Sequence, residues 1–175
     1  MRASSVSSAV VAGVVACGGS PASAPGTAPA LRPAASSAVV PALEYAVLAG
    51  GTWSTTGARG KLVVLDVWAT YCKPCKDAFP RLDALARQHP EIDVVGLSVD
   101  EADADVTRYL ATVPATFTIA RDPTESISKP PMAITRLPTL LVLDREGRVR
   151  LRTDEAKAAD YDALPALIAT LTAEP

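Results

Sequence analysis

Two cysteines, Cys72 and Cys75, stand three positions apart in the run Trp68-Ala69-Thr70-Tyr71-Cys72-Lys73-Pro74-Cys75. At that spacing they can close a small disulfide ring or supply half of a metal site. Their setting separates the two. Leu62 to Trp68 is an apolar, β-branched run that reads as a buried strand. Cys72 to Gln88 reads as a helix, with Phe79, Leu82, Leu85 and Ala86 at helical spacing. The pair therefore lies where a strand hands over to a helix. Unpaired backbone N–H groups and the helix dipole favour a thiolate at the first cysteine. Pro74 suits the first helical turn, where its missing donor costs nothing. Lys73 adds positive charge. Cys75, one turn in, should be more shielded. Cys72 is thus expected to attack and Cys75 to resolve, and the chemistry is thiol–disulfide exchange. The chain holds three cysteines and one histidine, with no second pair to complete a four-ligand zinc site. No metal is expected, and no cofactor beyond the redox-active Cys72–Cys75 disulfide.

Asp66 lies six residues before Cys72, inside the apolar strand. A carboxylate buried there without a partner is costly to ionise, so its pKa should rise. Its functional reading is a proton acceptor for Cys75; the alternative is a strand-edge residue that reaches solvent. Trp68 is expected to pack beneath the motif. His89, before Pro90 at a helix end, reads as a solvated surface residue.

These residues need a scaffold. Strands are expected over Leu62–Trp68, Ile92–Val99, Thr116–Ala120, Thr139–Leu143 and Arg148–Leu151, the last two joined by a hairpin turn ending in Gly147. Helices are expected over Cys72–Gln88, kinked at Pro80, Asp103–Ala111 and Tyr161–Thr172. Arg121 to Arg136 reads as irregular. Alternation followed by a hairpin implies an α/β fold with a central mixed sheet flanked by helices.

The chain has 175 residues, 17 basic and 19 acidic, which suffices for one domain and an appendage. No run reaches the roughly 18 apolar residues that span a bilayer, which excludes a polytopic membrane protein. The near-neutral charge provides no basic face for duplex nucleic acid. The first 42 residues carry only Arg2 and Arg32, and every acidic residue lies at Glu44 or later. Residues 1–16 read as an export signal, a basic start followed by an apolar centre. Val14-Val15-Ala16-Cys17 resembles a bacterial lipobox, in which the cysteine is lipidated and becomes the new N-terminus. An ordinary cleavage after Ala24 is the alternative, although Pro25 disfavours it. Residues 17–42, rich in Pro, Ala and Ser, read as a disordered tether. Residues 43–175 form the folded domain.

W-A-x-x-C-x-P-C at a strand–helix junction resembles the thioredoxin superfamily, in particular its exported, membrane-tethered TlpA-like branch. The resemblance covers roughly Leu43 to Thr172. Pro80, five residues after Cys75, matches the family's helix-kinking proline. Arg136-Leu137-Pro138-Thr139 looks like its cis-proline loop, and Gly50 through Lys61 resembles its lead-in hairpin. The resemblance implies a thioredoxin-like fold with an N-terminal β extension and supports Asp66 as the proton acceptor. It also implies a cis bond at Pro138, which costs only ~0.5–1 kcal/mol over trans, with the Leu137 backbone free to bridge a substrate chain; a trans proline at a strand start is the alternative. Tyr71 and Lys73 depart from the usual residues at their positions. The implied partners are exported protein thiols and disulfides, including apocytochromes in cytochrome c maturation, and a membrane or periplasmic electron donor. The implied setting is a lipid anchor facing the periplasm, with Gly18 rather than aspartate after Cys17 favouring the outer membrane. Reductant is the favoured direction. An oxidant, or a copper-binding assembly factor using His89, is the alternative.

Overall fold

The computed structural model describes residues 38–174. The expected export signal, Cys17 and most of the expected tether lie outside the described residues. Seven strands form one sheet in the order β2-β1-β5-β4-β3-β6-β7. They are β1 (Glu44–Val47), β2 (Thr52–Ser54), β3 (Val63–Trp68), β4 (Asp93–Ser98), β5 (Thr118–Arg121), β6 (Thr139–Leu143) and β7 (Val149–Asp154). The helices are α1 (Lys73–Gln88), α2 (Asp103–Leu110), α3 (Ala158–Asp162) and α4 (Leu164–Thr172).

Strand β3 is central because it is apolar on both faces; each of its six residues is buried. It pairs in parallel with β4, as βαβ crossovers require, and antiparallel with β6, which enters from the other side. Its C-terminal end therefore opens where α1 begins, and this places the cysteines at the rim of the sheet. The β6–β7 turn is held by Asp144, whose carboxylate accepts from the Arg148 and Glu146 amides at 2.8 and 3.1 Å. Gly147 takes φ 72° there, a left-handed conformation that disfavours a side chain.

Four differences from the sequence reading have physical causes. The expected helix Tyr161–Thr172 is two helices, α3 and α4, joined at Ala163, with Pro165 in the first turn of α4. Proline has no N–H to donate and starts a helix better than it continues one. Strand β7 runs on to Asp154 rather than stopping at Leu151, because Thr139 of β6 pairs with Asp154. The lead-in hairpin lies at Glu44–Ser54, its turn containing Gly50 and Gly51 at φ 103° and 83°; residues 55–62 form turns rather than its second strand. Packed chain also begins before the expected boundary at residue 42. Val39 bridges Arg148, the Val40 amide donates to the Gly147 carbonyl at 2.9 Å, and the Val40 side chain is buried. The irregular segment 121–136 holds one turn of 3-10 helix, Ser126–Ser128, whose first amides donate to the Asp122 carboxylate.

Candidate active site

Cys72 is the N-cap of α1 in extended conformation (φ −80°, ψ 102°), and Pro74 lies in the first turn. Cys72 and Cys75 are joined in a disulfide with their Cα atoms 5.4 Å apart. Cys72 is 9% exposed and Cys75 1%, so of the two sulfur-bearing residues the first is the one a partner can approach. The first turn of α1 carries no acidic residue. Lys73 and Pro74 are exposed there. Nothing in that turn opposes the stabilisation of an anion by the helix N-terminus.

Beneath the motif lies an aromatic cluster. Trp68 is fully buried and packs edge-on to Phe79, with ring centres 4.5 Å apart, and against Tyr109 at 5.1 Å. Gly96 on β4 makes room for it, since a Cβ there would come within 3.1 Å of both the Trp68 Nε1 and the Phe117 ring.

The loop between β3 and α1 is clamped from β4. Asp100 is buried, and its carboxylate accepts from the Thr70 amide at 3.0 Å, the Thr70 hydroxyl at 2.6 Å and the Ser98 hydroxyl at 2.8 Å. Arg121 closes this network from β5. Its guanidinium donates to the Ser98 hydroxyl at 2.6 Å and the Asp100 carbonyl at 2.9 Å, and it ion-pairs with Asp103. The clamp holds the residue two positions before Cys72. Sequence reading missed it, although an arginine ending an apolar strand and polar residues closing another were visible signals. Asp100→Ala leaves the two Thr70 donors and the Ser98 hydroxyl without their acceptor. The expected cost is about 3 kcal/mol, measured by urea unfolding of the oxidised protein against wild type.

Asp66 is fully buried on β3, so the solvent-reaching alternative is excluded. Its Oδ1 accepts from the Tyr161 hydroxyl at 2.6 Å. Among the described residues, its Oδ2 has no partner. Burial pushes the carboxyl up to about 7, against the opposing effect of the Tyr161 hydrogen bond. The Tyr161 phenol is itself pushed far above its ordinary range, first by burial and then by the Asp66 charge.

The Leu137–Pro138 bond is cis, and a second cis bond joins Pro130 and Pro131. Tyr71, 69% exposed immediately before Cys72, and Leu137 line the same groove of about 230 Å³. Val67, Val99, Ile127 and Ile134 line its apolar part, and Glu125 brings the one carboxylate. The fold thus brings the cysteine pair, Asp66, Trp68 and the cis-proline loop to one end of the sheet. It leaves His89 out. That residue caps the opposite end of α1, a helix of 16 residues spanning about 24 Å, where its Nδ1 lies 2.9 Å from the Glu91 carboxylate. His89 is partly covered there rather than freely solvated, its side chain 25% exposed.

A mixed sheet with a Cys-x-x-Cys disulfide capping the helix after its central strand, facing a cis-proline loop, defines a thioredoxin-type architecture. The thioredoxin-like family model matches residues 60–149, just over half of the chain, and the chain belongs to that family. Among its relatives, the thiol-disulfide oxidoreductase ResA of Bacillus thuringiensis is 31% identical over 93 residues, covering 52% of this chain and 53% of ResA. The thioredoxin-like protein YneN of Bacillus subtilis is 28% identical over 114 residues, 63% of this chain and 66% of YneN. The chain spans about half the length of the ResA proteins it matches. A crystal structure from Chlorobium tepidum, described as a thiol:disulfide interchange protein DsbE, superposes with a TM-score of 0.72 at 28% identity, covering 78% of this chain and 96% of that one. A lipoprotein thioredoxin from Streptococcus pneumoniae shares the fold at a TM-score of 0.66 and 20% identity, over 75% of this chain and all of that one.

Proposed function

We propose that this protein is an extracytoplasmic thiol–disulfide oxidoreductase that reduces disulfides in exported client proteins. The observation that carries the reading is the Cys72–Cys75 disulfide at the N-cap of α1, with Cys72 more exposed than Cys75. In the reduced form, the Cys72 thiolate attacks one sulfur of a client disulfide, and the other leaves as a thiolate. A mixed disulfide now joins Cys72 to the client. Cys75 gives up its proton, attacks the Cys72 sulfur and displaces the client's second thiolate. The pair ends oxidised and the client reduced. Asp66 is the candidate proton acceptor for Cys75. Its titration near neutrality suits a group that must accept a proton and later release it.

Relatives named for thiol–disulfide exchange support the class of reaction. The buried carboxylate can take the Cys75 proton in the reducing direction and return it in the oxidising one, while the TlpA-like resemblance favours reductant. Thioredoxin-like and DsbA-like potentials differ by ~150 mV, or about 7 kcal/mol, so direction is read from the equilibrium with glutathione. A potential near the thioredoxin end supports reductase; one near DsbA's makes the protein an oxidant. The copper-binding alternative loses its third ligand, because His89 sits at the far end of α1. For location, a lipid on Cys17 would anchor the chain, with residues 17–42 as the tether. Among the described residues, no helix is long and apolar enough to cross a membrane.

Trapping tests the reading. Cys75→Ala removes the resolving thiol, so mixed disulfides should accumulate on Cys72 in cell-envelope extracts and release their clients on reduction. If Cys75→Ala captures no partner through Cys72, the exchange reading is wrong.

A further inference from the structure

We infer that Tyr161 is a positioning residue for the exchange reaction: it holds Oδ1 of Asp66, leaving Oδ2 as the oxygen that takes the Cys75 proton. The inference rests on the function proposed above and deepens it. Tyr161 comes from α3, which packs against α1, the helix that carries Cys75. Its side chain is buried, and its hydroxyl donates to Oδ1 at 2.6 Å. Oδ2 is buried and, among the described residues, has no partner. The two oxygens of one carboxylate are thus unequal. One is occupied by a donor that keeps its own proton at every physiological pH, because burial and the neighbouring carboxylate both push that phenol upward. The other is available.

A single donor also balances the site. With none, the buried carboxyl would stay protonated well above neutrality and accept nothing; with two or three, it would be a permanent anion too weakly basic to take a thiol proton. The groups that face Asp66 are Tyr161 from α3 and Tyr109 from α2, with Asp160 acting on the first and Asp77 on the second. Of these, only Tyr161 has a hydrogen bond to Asp66. In the step itself, the Cys75 S–H bond breaks and its proton passes through water to Oδ2. The sulfur's electron pair forms the bond to Cys72, and the client sulfur leaves with the pair of the broken S–S bond.

Tyr161→Phe removes the hydroxyl and little else. The measurement is single-turnover resolution of a preformed mixed disulfide on Cys72 with a small thiol, followed against pH, beside a ¹³C titration of the Asp66 carboxyl. Both midpoints should rise by about one pH unit, because the charged form loses its donor. A 3-fluorotyrosine at position 161, a stronger donor, should move both the other way, and this second variant decides the matter if the phenylalanine variant folds poorly. A role in packing alone would leave the midpoints unmoved, and that result overturns the inference. Asp66→Asn separates the layers. A flat profile in that variant combined with unmoved midpoints in the Tyr161 variants sinks Tyr161 and leaves Asp66 standing. A wild-type profile in Asp66→Asn sinks both roles, while the exchange activity of Cys72 stands or falls by trapping.

Discussion

Cys72→Ser is expected to abolish reduction of insulin disulfides, lowering the rate at least about 10³-fold, to the level of the dithiothreitol background. A serine hydroxyl has no accessible anion near neutrality, and no disulfide could form with Cys75. The partner substitution should behave differently. Cys75→Ser retains the attacking sulfur at the helix N-cap, so it should still capture one client equivalent while losing turnover. The asymmetry follows from position. Cys72 caps the helix and is the more exposed of the two, whereas Cys75 lies a turn deeper at 1% exposure. Alkylation of the reduced protein against pH provides the companion measurement. The Cys72 midpoint should fall below the ~8.5 of a free cysteine, because the orphan amides of the first turn favour the thiolate. Substantial insulin reduction by Cys72→Ser would remove that sulfur from the mechanism.

How much of this could be read from the chain depends on how far apart the interacting residues lie. The cysteine pair, its strand and its helix occupy one continuous stretch, and the roles proposed for the two sulfurs were argued from that local order. Asp66 was legible because a lone carboxylate in an apolar run stands out. Its partner was not: Tyr161 is 95 residues away, and nothing around it marks one tyrosine on an amphipathic segment as a donor. The same holds for Asp100 and Arg121, which meet Thr70 and Ser98 only once β3, β4 and β5 are aligned. The break in the last helix was in principle visible at Pro165, but the apolar spacing of Leu164, Leu167, Ile168 and Leu171 concealed it. At the N-terminal side, composition placed the domain boundary by its charge shift, whereas packing of Val40 near the β6–β7 turn places it earlier. Short apolar side chains that complete a sheet edge leave little compositional trace.

Asp66→Asn is expected to stabilise the oxidised protein at pH 8 by about 4 kcal/mol while slowing its turnover. The folded-state carboxyl is raised from an ordinary 3.8 to about 7. Between those values the folded chain holds a proton that the unfolded chain has released. Stability is therefore fully present below about pH 4 and declines as pH rises toward 7, the opposite of a salt-bridged carboxylate. Three units correspond to about 4 kcal/mol. Asparagine carries no charge to bury and can still accept from the Tyr161 hydroxyl, so the variant should match wild type near pH 3.5 and exceed it at pH 8. Urea unfolding of both proteins at the two pH values measures the difference, and contributions from every other titrating group cancel in it. A variant less stable than wild type at pH 8 would mean that Asp66 is not the strained group described here. The cost of ionising Asp66 at neutral pH is borne by a residue whose replacement by a neutral isostere would relieve it. Under the proposed mechanism it is retained because the same desolvation that weakens the fold makes the carboxylate basic enough to accept a thiol proton.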